Sequence, residues 1–207
     1  MNIHSFNNPT ETQSENLLDV LTKFEKTFKD VIGESIEDFV SCLRYQIYTE
    51  DAVRIIGKLI SLSTGYQLLG NGASRVAFLD KNTNLVVKLD IVEIEDGGSQ
   101  VENESLAISD LISKGHTKYL PNIYRSRGYT CVTEYVPHPL DCIYPNKQDR
   151  IRIYHNLQEY FKSLGYEDEV LDLSNKENIR VRSNGEIVVV DLGYLALQQN
   201  HTDDSNS

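Results

Sequence analysis

Residues 66–90 read YQLLGNGASRVAFLDKNTNLVVKLD, and their pattern decides the fold. The runs YQLLG, RVAFLD and NLVVKLD are short and rich in branched and aromatic residues, while NGAS and DKNT between them are turn formers. That is the pattern of three antiparallel strands. Downstream, Gln100 to Lys114 reads as a helix with Leu106, Ile108, Leu111 and Ile112 on overlapping apolar faces. PNIYRSRG and YTCVTEYV then pair as strands through an Arg127-Gly128 turn. Pro137 and Pro139 break the chain before a helix from Ile151 to Leu164, whose inward face is Ile153, Leu157, Tyr160, Phe161 and Leu164. Two last strands, NIRVRS and EIVVVDLG, meet at Asn184-Gly185, a two-residue hairpin signal.

Upstream, the period changes to that of helices. Leu17, Leu21, Phe24, Phe28 and then Val31 or Ile32 share one face, and Gly33 stops it. Ser35 with Asp38 three residues on makes a capping-box-like start for a stripe of Ile36, Phe39, Val40, Leu43 and Ile47. Thr49 can cap a third helix with Val53, Ile56, Leu59 and Ile60 on one face, closed by a left-handed Gly65. Residues 1–16 and 198–207 are polar and without apolar period, so both ends are expected to be mobile. The expected order is thus a helical extension over 17–65, a strand-and-helix lobe over 66–136 and a smaller region over 137–197. No internal repeat is visible.

Composition narrows the function classes. The chain of 207 residues is long enough for one substantial core with a small appendage, and 40% hydrophobic with 25% charged residues is normal for a folded, water-soluble protein. A formal net charge of -11 argues against a passive phosphate-backbone binder, so no nucleic-acid partner is expected. Cys42, Cys131 and Cys142 form no CxxC pair and have no histidine at ligand spacing, so neither a zinc site nor a disulfide framework is indicated. With no signal-like N-terminus and no apolar run of membrane-spanning length, a cytoplasmic, membrane-free protein is expected.

Chemistry-bearing residues lie in the strand region and at its far end. Gly70 and Gly72 sit between two apolar strands, where absent side chains let backbone N–H groups approach phosphate oxygens. On their own they also describe a glycine hairpin turn. VVKLD puts Lys88 among apolar neighbours, where an ammonium needs an anionic partner unless it guards a sheet edge. The next helix offers Glu102 and Glu104, which stand about 200° apart around its axis, so only one faces the sheet. Glu104 shares the inward stripe of Ile108, Leu111 and Ile112. LDLSNKENIRV and EIVVVDLGY bring Asp172, Asn178 and Asp191 to two turns bracketing a strand pair, and hard oxygen donors of this kind suit magnesium. Asp172 beside Ser174 and Asn175 also reads as a local cap.

In that order GNG, VVK, ENE, VTEYV, DLSNKEN and DLG resemble the protein-kinase-like superfamily, from about Tyr66 to Tyr194, and most of all its short atypical members in bacteria and phages. The resemblance implies an α+β fold, with an antiparallel N-lobe sheet, one αC-type helix and a truncated C-lobe behind the helical extension. It implies ATP and Mg2+ as ligands. Gly70, Asn71, Gly72 and Ala73 would cover the phosphates, Lys88 would hold them while pairing with Glu104, and Glu134 and Val136 would offer main-chain groups to adenine. Asp191 and Asn178 would be the magnesium ligands, and Asp172 would accept the proton of an attacking hydroxyl.

The chain also departs from that pattern. Ser74 and Arg75 stand where a third glycine is usual, and Val170-Leu171 precede Asp172 in place of His-Arg. The interval from Asp172 to Asn178 is one residue longer than is usual in that superfamily, which leaves Asn175 as an alternative, and little chain follows Asp191-Leu192-Gly193 to form a peptide-substrate platform. Two functions therefore stay open. One is an ATP- and magnesium-dependent phosphotransferase acting on a hydroxyl of a protein or small molecule. The other is an inactive pseudokinase serving as an acidic interaction or inhibitor module.

Overall fold

A computed structural model describes residues 11–43, 50–72, 74–91, 99–166, 173 and 175–192. The chain divides into two compact units, Met1–Glu93 with Ile123–Thr133, and Ile94–Asn122 with Glu134–Ser207.

The first unit joins three helices to a sheet. Helices α1 (Glu11–Ile32), α2 (Ile36–Leu43) and α3 (Glu50–Ser63) precede β1 (Tyr66–Asn71), β2 (Arg75–Asp80) and β3 (Leu85–Asp90). With β4 (Ile123–Arg127) and β5 (Thr130–Glu134) these make a five-stranded sheet in the order β1-β2-β3-β5-β4. The pairs β1–β2, β2–β3 and β4–β5 are antiparallel. The helices brace the sheet. Leu21, Phe24 and Phe28 of α1, Ile36 and Val40 of α2, and Val53 and Ile60 of α3 share one buried core with Tyr66, Val76, Phe78, Val87 and Leu89. Phe24 is the centre of it, edge-on to Tyr66 at 5.1 Å and tilted against Phe78 at 5.4 Å. A Cβ on Gly57 would stand 3.0 Å from Val76 and 3.1 Å from Leu68, so its hydrogen side chain lets α3 lie close on the sheet.

Local signals explain most helix ends. Gly33 takes φ +92° and donates its N–H to Lys29 O at 2.8 Å, which closes α1. Ser35 Oγ accepts from Asp38 N–H at 3.1 Å and donates to the Asp38 carboxylate at 2.7 Å, as its capping-box spacing foretold.

Three expectations for these helices need correction. Helix α1 begins at Glu11, inside the stretch read as a mobile terminus, because Glu and Gln are good helix formers and elongating a packed helix costs little. Leu59 is 46% exposed, so the buried face of α3 is Val53, Ile56, Gly57 and Ile60. Gly65 is not left-handed; Thr64 Oγ1 closes α3 instead, donating to Ile60 O and accepting from Tyr66 N–H. Ile47 and Thr49 lie outside the described residues.

The second unit holds α4 (Gln100–Ser113), β6 (His138–Pro139), α5 (Leu140–Ile143), α6 (Lys147–Ser163), a 3-10 turn (Lys176–Asn178), β7 (Ile179–Val181) and β8 (Ile187–Val189). Its sheet runs β6-β7-β8, with Pro139 on the edge strand where a missing N–H is tolerated. Ser99 Oγ caps α4 by accepting from Glu102 N–H at 3.3 Å, and Asn146 caps α6 through Gln148 N–H at 2.9 Å. Helix α6 therefore starts at Lys147, ahead of the expected Ile151, which is 48% exposed. Leu106, placed on the inward face by its spacing, is 64% exposed.

The β7–β8 turn is also not the two-residue form expected. Asn184 keeps a negative φ while Gly185 takes +88°, and Arg182 N–H donates to Glu186 O, giving a three-residue loop. Among the described residues no helix is long and apolar enough to cross a membrane.

Candidate functional site

In the first unit, β1 bulges between Leu68 and Gly70, and Gly72 N–H donates to Arg75 O at 2.8 Å to close the β1–β2 hairpin. That amide is thus committed to the turn. Neither Gly70 nor Gly72 has a positive φ, and a Cβ on either would meet nothing within 4 Å. Backbone strain and packing therefore require neither glycine; what they leave is open space over the turn. Asn71 pairs with Val76, and Ala73 lies outside the described residues.

Arg75, standing where a third glycine was expected, turns away into the protein. It is buried, with Nε 3.0 Å from Asp90 Oδ1, its cross-strand neighbour. Lys88 is 6% exposed on β3, the middle strand of five, opposite Ala77. A mid-sheet lysine guards no edge, so that explanation falls and the demand for an anionic partner stands.

In the second unit, Glu104 is 0% exposed on α4 and its Oε1 accepts the Leu192 N–H at 3.1 Å. Glu102 is exposed. The half-turn offset of the two glutamates is what separates them, as the helical period required. Leu192 follows Asp191, so the buried carboxylate on α4 holds the backbone just past the candidate metal ligand.

The backbone before Asp191 is held too. Val190 N–H donates to Asn178 O at 2.8 Å, and Asn178 N–H donates to Asn175 O at 3.0 Å. Asn178 is buried, whereas exposed Asn175 spends its side chain accepting Glu177 N–H at 3.1 Å. Of the two asparagines, Asn178 is the one placed beside the strand that leads to Asp191. Asp172 lies outside the described residues.

No group of three or more His, Cys, Asp or Glu side chains that could hold a metal occurs among the described residues. Magnesium does not need such a cage, since it keeps waters and takes one or two protein oxygens plus substrate phosphates. The backbone bond from Val190 N–H to Asn178 O ties the Asn178 turn to the residue before Asp191.

Glu134 ends β5 with more contacts than its spacing suggested. Its N–H donates to Asn122 O at 3.0 Å and its Oε1 accepts Asn122 N–H at 2.7 Å. Arg182 Nε donates to Glu134 Oε2 at 2.9 Å while Nη2 donates to Oε1, and these bonds raise the guanidinium pKa above its ordinary value. The Glu134 N–H is thus used by Asn122. Val136 is 4% exposed and makes no main-chain hydrogen bond among the described residues. Sequence reading missed Arg182 altogether, because it lies 48 residues from Glu134 and no local pattern links them.

No family model matches the chain, and no curated protein matches it. Solved structures do match. One, an apo pseudokinase, is 16% identical over 61% of this chain and 53% of that chain, with a TM-score of 0.35, so the match spans about half of that chain's length.

Proposed function

We propose that this protein is kinase-like and binds ATP with magnesium, transferring the γ-phosphoryl group to a hydroxyl. The observation that carries the reading is the buried Glu104 carboxylate, which holds the Leu192 amide and so fixes the turn that presents Asp191. Burying a carboxylate is costly, and a purely structural helix would use an apolar residue there. Lys88 on the middle strand meets the α and β phosphates, and Gly70, Asn71, Gly72 and Ala73 cover them. The Glu134 carbonyl and Val136 main chain receive adenine.

Asp191 and Asn178 hold magnesium, which supplies charge neutralisation at the phosphates. Asp172 accepts the proton of the attacking hydroxyl, whose oxygen bonds to the γ phosphorus as the bond to the β–γ bridging oxygen breaks and ADP departs. The substrate is a protein serine or threonine, or a small alcohol. Phosphate transfer from ATP to protein in a lysate, lost in Lys88→Ala and Asp172→Ala, supports this reading.

One observation favours a second reading. The Gly72 amide is already spent on Arg75 O, so the turn has one fewer N–H to give to phosphate than a looser loop would. The alternative is a pseudokinase that binds nucleotide without transfer and acts as an acidic interaction module. Magnesium-dependent binding of a fluorescent ATP analogue without any phosphate transfer would select it.

A further inference from the structure

Three segments far apart in the chain meet on the Arg182 side chain. Nε donates to Glu134 Oε2 at 2.9 Å and Nη2 to Glu134 Oε1, the paired geometry in which a planar guanidinium and a carboxylate orient each other. Nη2 also donates to the Leu120 carbonyl at 3.1 Å, and Nη1 donates to Glu186 at 3.0 Å. The Arg182 and Glu134 side chains are only 22% and 13% exposed, so water competes little for these bonds.

The other side of Glu134 is held by Asn122, through both the Glu134 amide and its carboxylate. Glu134 ends β5 and Pro137 follows three residues later, so without these bonds the chain at 134–136 is a strand end free to fray. The guanidinium fork reaches two carboxylates and a carbonyl at once, which a lysine's point charge does not reproduce.

Resting on the nucleotide-binding reading above, we infer that Arg182 is a positioning residue for the nucleotide's base. It touches no substrate. It locks Glu134, and with it the main chain of 134–136, in place before the base arrives, so that binding does not have to order this segment. Its contribution belongs to the base-dependent part of affinity and not to the phosphate-dependent part.

The test titrates wild type, Arg182→Ala, Arg182→Lys, Glu134→Gln and the double variant Arg182→Ala/Glu134→Gln with magnesium-ATP and with magnesium-tripolyphosphate. Arg182→Ala is expected to weaken ATP binding about tenfold and tripolyphosphate binding less than about twofold, with lysine recovering only part. The double variant is expected to be no weaker than the worse single variant, since both remove one lock. Equal losses for both ligands, or no loss for ATP, would overturn the inference.

Amide hydrogen exchange of the nucleotide-free protein reports on the lock independently. Exchange at Glu134, Tyr135 and Val136 is expected to quicken in Arg182→Ala while α6 stays unchanged. Unaltered exchange there overturns the lock itself. Wild-type protein that binds tripolyphosphate but not ATP, or binds neither, overturns the nucleotide reading and this inference with it, whatever the exchange shows.

Discussion

Glu104 and Leu192, 88 residues apart, are joined by a 3.1 Å hydrogen bond from the Leu192 amide to a fully buried carboxylate oxygen. Each explains the other. Glu104 tolerates burial because its oxygen is used, and the chain after Asp191 keeps its course because it is held.

Glu104→Gln keeps an acceptor for that amide, whereas Glu104→Ala strands a buried N–H. Unfolding in urea is expected to show a loss of about 1–3 kcal/mol for the alanine variant and clearly less for glutamine. Equal losses would show that the Leu192 contact contributes nothing.

The buried Arg75–Asp90 pair supplies a second test. Asp90→Ala removes the carboxylate facing a buried guanidinium and is expected to cost about 3–5 kcal/mol, while the double change Arg75→Met/Asp90→Leu recovers most of it. Denaturant midpoints of the three proteins check this.

If the N-terminal helices truly brace the sheet, Phe24→Ala destabilises both together. The expected cost is about 3–5 kcal/mol, with helix and sheet signals lost in a single transition. Separate transitions for α1 and the strands would contradict a shared core.

Tyr66 links stability to alkaline pH. Burial, followed by the nearby Asp80 and Asp19 carboxylates, pushes its phenol pKa upward. Above the ordinary phenol pKa of about 10 the unfolded chain loses this proton while the folded protein keeps it, so this contribution to stability falls as pH rises. The Tyr66 hydroxyl has no hydrogen-bond partner among the described residues. Tyr66→Phe is therefore expected to be neutral or stabilising by about 1 kcal/mol near pH 7, and to flatten the alkaline decline. A steeper decline in the variant would refute this.

At several places a local rule and the structure agree. The strand runs around Gly70, the Ser35–Asp38 cap and the Glu104 face follow from turn chemistry, side-chain hydrogen bonding and helical period. Period alone misplaced Leu59 and Leu106, because an apolar side chain beside a buried stripe costs little when left in water. The closure of α3 by Thr64 instead of Gly65 escaped for a similar reason, since two residue types offered an end and only three-dimensional geometry chose.

The least legible feature is the Arg182–Glu134–Asn122 network. Its members come from separate segments and carry no shared spacing. Charge pairs of this kind are specified by tertiary structure, and each residue alone reads as a solvated surface group.

Thermal denaturation with and without ATP and magnesium, on wild type and Asp191→Asn, tests nucleotide binding most directly. At ATP about 100-fold above its dissociation constant the native wild type is expected to gain about 2.7 kcal/mol, raising its midpoint, with the gain largely lost in Asp191→Asn. An unchanged wild-type midpoint at millimolar ATP and magnesium, or an equal rise in both proteins, would contradict the proposed site.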